Sequence, residues 1–371
     1  MSKLFSPWML GPLELENRIV IAPMCQYSAV DGNAQDWHLI HLGNLAQSGA
    51  GILVIEATAV SPEGRITPGD LGLYSNENET ALKRVLNAVN KYATSPIVIQ
   101  LAHAGRKASS QAPWDGGAQI LPDEPDGWKA VAPSSLPHAQ GEDTPVALDD
   151  AGLAKVREDF ASSARRSVAL GFRGIEVHMA HGYLLHQFLS PIANQRSDSY
   201  GGTLENRMRF PLEVFDAVKA AVPENFPVWV RVSATDWVPY GWDIEDTVAF
   251  GNALKARGCA AIHVSSGGVS PRQDIPLSDG YQVPLAARVK DGVGLPTIAV
   301  GLITDPVHAE AILDKGDADA IALARGMLYN PRWPWHAAAE LGAEINAPHQ
   351  YWRSQPREYK KLFKNSKVGQ R

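Results

Sequence analysis

His178-Met179-Ala180-His181-Gly182-Tyr183 sets two imidazoles and a phenol directly behind Gly174-Ile175-Glu176-Val177, which reads as a buried strand. Proton-handling side chains therefore gather at one strand end. Residues three apart in a strand point to opposite faces, so the histidines can address one spot only if the chain turns near Ala180, and Gly182 favours such a turn. In that arrangement they could donate hydrogen bonds or move a proton. The same imidazoles could also be two ligands of a metal, or core histidines satisfied by backbone. A metal needs further ligands, and His103 is the one candidate at another strand end.

A strand end must be held by a scaffold, and the chain supplies one. Apolar, strand-length runs recur at Arg18 to Met24, Ile52 to Ala59, Pro96 to Ala102, Gly174 to His178, Val228 to Ser233, Ala261 to Ser265, Thr297 to Val300 and Ala320 to Ala324. Helix-like segments or loops separate them, the pattern of parallel strands with crossover helices. Near-continuous Val, Ile, Leu and Ala means that both faces are covered. Eight such units predict a closed (β/α)8 TIM barrel of the α/β class. The stretch from Asp149 to Leu170 opens on paired acids and carries Leu153, Val156 and Phe160 at helical spacing. No Gly-x-Gly-x-x-Gly follows a strand, which argues against a Rossmann dinucleotide site.

Two segments exceed what a barrel needs. Residues 105–148, after the third strand, bear Trp114, Trp128, Pro133 and Pro137 and are expected to form a lid or short hairpin beside the site. Residues 1–345 then form a single barrel domain, and 346–371 a polar C-terminal tail whose Tyr351-Trp352-Arg353 favours docking over disorder.

Composition sets outer limits. At 371 residues, 45% hydrophobic and 20% charged with a formal net charge of −6, the chain lacks the basic excess of a nucleic-acid binder. No apolar run approaches a membrane span and the start has no apolar signal region, so the cytoplasm is the expected location. Two cysteines, Cys25 and Cys259, are too few for a disulfide framework or an iron-sulfur cluster. Both are read as reduced thiols, Cys259 as a small buried hydrophobe.

In such barrels the carboxyl ends of the strands carry the chemistry. Glycines after strands six to eight, with Ser266-Gly267-Gly268, Gly301 and Ala324-Arg325-Gly326, describe a phosphate cradle and hence a phosphorylated ligand. Read in order, Pro23-Met24-Cys25-Gln26-Tyr27, Glu56-Ala57-Thr58, Gln100 to Lys107, His178 to Tyr183, and Asn194 to Gly202 leading to Glu205-Asn206-Arg207 resemble the Old Yellow Enzyme family of FMN-dependent ene-reductases, in its bacterial cysteine-bearing branch. The resemblance runs almost end to end.

The resemblance implies FMN as cofactor and NADPH, or NADH, as electron donor. It places Pro23, Met24, Cys25 and Ala57 along the isoalloxazine, Gln100 on its pyrimidine edge and Arg231 at its N1 and C2 carbonyl region. The phosphate would rest near Gly301 and Ala324 with Arg325 as counter-ion, and Ser266 is counted among the cofactor contacts. Ala324 departs from the Gly of many relatives, which weakens that contact. The family chemistry is hydride delivery from reduced FMN to the β-carbon of an alkene conjugated to a carbonyl or nitro group. By resemblance, His178 and His181 bind the activating oxygen, Tyr183 protonates the α-carbon, Cys25 tunes the flavin, and Tyr27 donates to substrate. Trp352 and Arg353 would reach the pocket of a neighbouring subunit in a homo-oligomer, a dimer or tetramer. Small-molecule enones, nitro compounds and quinones are the implied substrates. No metal is expected, and the Arg196-to-Arg209 cluster is read as bracing the loop that presents Tyr183.

Overall fold

Every apolar run becomes a strand buried along its whole length. The computed structural model describes residues 2–367. Its strands β1 (Ile19–Ile21), β2 (Ile52–Ala59), β3 (Ile97–Ala102), β4 (Ile175–Met179), β5 (Val228–Ser233), β6 (Ile262–Ser265), β7 (Thr297–Ala299) and β8 (Ala320–Leu323) pair in parallel and in sequence. β8 pairs back onto β1, so the sheet closes. The fold is a (β/α)8 barrel. Continuous apolar sequence is what such a sheet demands, because side chains fill the barrel inside and pack on helices outside.

Parallel pairing puts all eight carboxyl ends at one end of the barrel. The crossover helices follow local rules: Asp149 caps the helix Asp150–Ala169 by accepting from the Gly152 amide, and Leu153, Val156 and Phe160 are buried against the barrel. β2 carries a register shift between Ile55 and Ala57, which sets Glu56 apart from the regular ladder.

At the amino end lies a hairpin that the sequence pattern did not expose. Trp8–Leu10 pairs antiparallel with Leu13–Leu15, burying Trp8, Leu10, Leu13 and Leu15 and exposing Met9 and Glu14. Gly11 turns it at φ +57° against Ala260 and Pro227, just ahead of β6 and β5. The hairpin thus closes the end away from the strand-end loops.

The segment after β3 is largely irregular. Its ladder is a short parallel one, Val131–Ala132 with Val146–Ala147, and Ser110 and Gln119 form an antiparallel bridge. Arg196 ties this segment to the loop after β4 through the carbonyls of Pro133 and Leu148, at 2.9 and 2.6 Å. The tail folds back on its own chain, where Ile345 bridges Phe363 and Trp335 packs on Phe363 at 4.9 Å. Residues 368–371 lie outside the described part. Among the described residues no helix is long and apolar enough to cross a membrane.

Candidate active site

The turn after β4 brings its side chains together. His181 and Gly182 both take left-handed conformations, φ +58° and +74°, and reverse the chain so that the His178 ring lies 5.1 Å from that of His181 and 5.0 Å from that of Tyr183. Only glycine fits at 182, because a Cβ there would stand 2.1 Å from the Gly268 carbonyl oxygen. The Gly182 amide donates to His186 Nδ1 at 2.9 Å, and the other nitrogen of His186 meets Asp236 at 2.9 Å, both side chains fully buried. Lys107 Nζ donates to the carbonyls of His181 and Gly268, at 2.9 and 3.1 Å, and sits 5.0 Å above the Tyr183 ring. One cation therefore clamps the loops after β3, β4 and β6.

Protonation states follow from burial. His178 and His181 are held well below the ordinary imidazole range by desolvation and then by the Arg231 cation, so both are neutral. His178 Nδ1 accepts from the Ala180 amide at 3.2 Å, which leaves Nε2–H as its donor. His181 Nε2 lies 2.7 Å from Ser265 Oγ. Burial raises the Tyr183 phenol, which stays protonated.

The loop after β1 forms the next wall. The Gln26 amide donates to buried Glu56 Oε2 at 2.5 Å, and Glu56 Oε1 faces His38 Nε2 at 3.1 Å. This anchor holds Cys25, whose thiol is pushed up by burial, then by Asp70 and Glu56, so it is a thiol and not a thiolate. Tyr27, at φ +51°, sets its ring edge-on to Trp114 at 5.5 Å. A cavity of about 480 Å³ lies there, lined by Tyr27, Gly69, Trp114 and Asp115. Asp70 is buried beside it, accepting from Thr67 Oγ at 2.8 Å and the Ile66 amide at 2.7 Å. Ile66, Trp128 and Tyr183 pack on Ala104, Ala108 and Ala130, so Trp128 of the segment after β3 stands in the same cluster as the phenol.

Across the mouth, Arg231, Ser265, Gln282, Gly301, Ala324 and Arg325 line one cavity of about 180 Å³. Gly301 adopts φ +126°, a conformation closed to other residues. Arg231 is 7% exposed, yet its Nε has no hydrogen-bond partner among the described residues. A buried cation without a protein partner is costly, and an electron-rich ligand removes that cost. Gln100 donates its amide N–H to Glu176 Oε1 at 2.7 Å, which leaves its carbonyl as the free end. A phosphate cradle, an unpartnered cation and an oriented amide fit a phosphorylated heterocycle such as FMN.

Not every expected contact lies on the cavity wall. Ser266 sits behind Gln282, donating to its Oε1 at 2.6 Å, and Ser265 with Gln282 takes the lining position. Sequence reading passed over Gln282 because it stands well away from any strand end. Trp352 and Arg353 lie in the turn His349–Ser354; the Trp352 ring lies tilted against that of His349 at 4.2 Å and borders Lys91 to Thr94, just ahead of β3. They stand at the amino end of the barrel and do not join their own chain's site. Among the described residues, no cluster of three or more His, Cys, Asp or Glu side chains is placed to hold a metal ion.

The model of the NADH:flavin oxidoreductase / NADH oxidase family matches residues 3–344. The chain belongs to this family. It is 41% identical over 366 residues to an NADH:flavin oxidoreductase of Gibberella zeae, covering 94% of this chain and 88% of that one. To an NADPH dehydrogenase of Geobacillus thermodenitrificans it is 42% identical over 352 residues, covering 94% and 98%. Morphinone reductase superposes with a TM-score of 0.76 at 30% identity, over 99% of this chain and 94% of that one. Another structure of that reductase is a complex with tetrahydroNAD. The chain is thus an Old Yellow Enzyme-like oxidoreductase with FMN as its cofactor and a nicotinamide nucleotide as electron donor.

Proposed function

We propose that this oxidoreductase reduces the C=C bond of alkenes activated by a carbonyl or nitro group, with NADPH or NADH as donor. The observation that carries this is the convergence of two neutral imidazoles and a protonated phenol, the His178 ring lying about 5 Å from that of His181 and from that of Tyr183. FMN, when bound, supplies a hydride to the β-carbon. His178 and His181 hold the activating oxygen through N–H donors, stabilising the negative charge that gathers there as an oxyanion hole does. Tyr183 delivers the proton to the α-carbon. Pro23, Met24, Cys25 and Ala57 face the flavin ring, Gln100 its pyrimidine edge, and Arg231 its electron-rich end. Gly301, Ala324 and Arg325 take the phosphate, with Ser266 bracing Gln282 behind it. Cys25, a thiol in this environment, tunes the ring as a polarizable neighbour, and Tyr27 with Trp114 walls the acceptor side. Trp352 and Arg353 serve the pocket of a neighbouring copy in a cytoplasmic homo-oligomer.

Absorption spectroscopy and single half-reactions test this reading. Purified protein is expected to be yellow, to release FMN on denaturation, to be bleached by NADPH and to regain colour with cyclohexenone. A colourless protein with stoichiometric zinc and no FMN uptake, or a flavoprotein reduced by NADPH that no enone or nitroalkene reoxidises, would overturn it.

A further inference from the structure

Glu176 is a charged residue in the middle of a fully buried strand, and no step above uses it. It is 0% exposed on β4. Its Oε1 accepts from Gln100 Nε2 at 2.7 Å, and its Oε2 from Trp229 Nε1 at 2.7 Å and His263 Nδ1 at 2.9 Å, so β3, β5 and β6 each aim a donor at it. Burial alone would raise this carboxyl, but His263, Arg231 and Trp229 together hold it down at about 2. The group is an anion at all working pH. Burial and the Arg231 charge lower His263, so at about pH 7 it faces Glu176 as a neutral donor, and its Nε2 has no partner among the described residues. The floor of the site therefore carries one negative charge that neutral donors soften without cancelling. Arg231, on the neighbouring strand, forms no ion pair with it.

We propose that Glu176 is a positioning residue for the cofactor, which turns the Gln100 carbonyl outward and whose fixed charge sets the reduction potential of the bound FMN. The inference rests on the flavin placement given above. An ionised carboxylate can only accept, so the Gln100 amide must present its NH2 to Glu176 and turn its oxygen away from it. The charge then acts on the couple directly. Reduction adds electron density to the ring, which Arg231 favours and Glu176 opposes. A fixed unit charge at about 10 Å, in a medium of effective dielectric about 20, alters an equilibrium about tenfold.

The test is the midpoint potential of the FMN-loaded protein, read by spectroelectrochemistry beside its FMN content. Glu176→Gln removes the charge and is expected to favour the reduced flavin about tenfold, a rise of about 30 mV for a two-electron couple. Trp229→Phe keeps the charge but strips one donor from it, and is expected to lower the potential. Opposite signs support the proposal, since general loosening of the floor would move both variants alike. An FMN-replete Glu176→Gln protein with an unmoved or lowered potential overturns it, as do shifts of the same sign. Should Glu176→Gln fail to fold, an unmoved or raised potential in Trp229→Phe overturns it alone. A parent protein that takes up no FMN would instead sink the underlying placement.

Discussion

Tyr183 differs from its neighbours in what it must give away. In the proposed reaction the histidines only have to donate, whereas the phenol would have to lose a proton that burial makes it reluctant to lose. Tyr183→Phe should leave reduction of FMN by NADPH near the parent rate and slow reoxidation by cyclohexenone by roughly 10²- to 10⁴-fold. Quinones, which need no proton at that carbon, should be far less affected; equal slowing with both acceptors in stopped-flow absorbance would remove Tyr183 from the role. The histidines predict a flat region. Held low by burial and then by Arg231, they stay neutral between about pH 8 and about pH 6, so KM for an enone should show no step near the ordinary imidazole midpoint of about 6.5. Asp70 does titrate in that range, because burial pushes its carboxyl up to about 7: it is mostly protonated at the acid end and ionised at the alkaline end. A step near 7 that disappears in Asp70→Asn belongs to this carboxyl. A step near 6.5 that survives Asp70→Asn would place a proton on the imidazoles and contradict their burial.

Among elements, the loop after β4 was the most legible and the least complete in sequence. Two histidines, a glycine and a tyrosine implied a turn near Ala180, and His181 and Gly182 make it. What holds the turn was not legible, since Asp236 and Lys107 are brought to it from other turns of chain and only the closed barrel sets them beside it. The barrel strands could be read because complete burial leaves a continuous apolar run. The hairpin Trp8 to Leu15 could not, because its strands of three residues are too short to show a period. Glu176 did leave a signal, a lone acid inside such a run, though its donors lie on three other strands. Gly182→Ala tests the loop as a unit. The added methyl meets backbone at 2.1 Å and demands a positive φ, so about 1–3 kcal/mol of strain is expected in thermal unfolding, with enone reduction lost and FMN content kept. Loss of FMN in step with activity would mean that this turn supports the cofactor cradle as well.

For the molecule as a whole, the candidate site and the C-terminal aromatic turn lie at opposite ends of the barrel. The strand-end loops hold the site, while Trp352 and Arg353 lie at the far end of the same chain. In the homo-oligomer proposed above they would complete the pocket of another copy. Mixing Arg353→Ala with Tyr183→Phe should therefore regenerate some fully equipped sites and restore enone turnover above that of either variant alone; a monomer of full activity, shown by sedimentation at assay concentration, would rule this out. The unpartnered Arg231 has a different consequence, one for the life of the protein in a cell. Its cost falls on the empty chain and is relieved by the ligand, so each tenfold excess of FMN over its Kd deepens the folded state by about 1.4 kcal/mol. Linkage of this kind is expected to tie the protein's abundance to vitamin supply: with riboflavin scarce, newly made chains should open more often and be found sooner by proteases, which pulse proteolysis with and without added FMN would show.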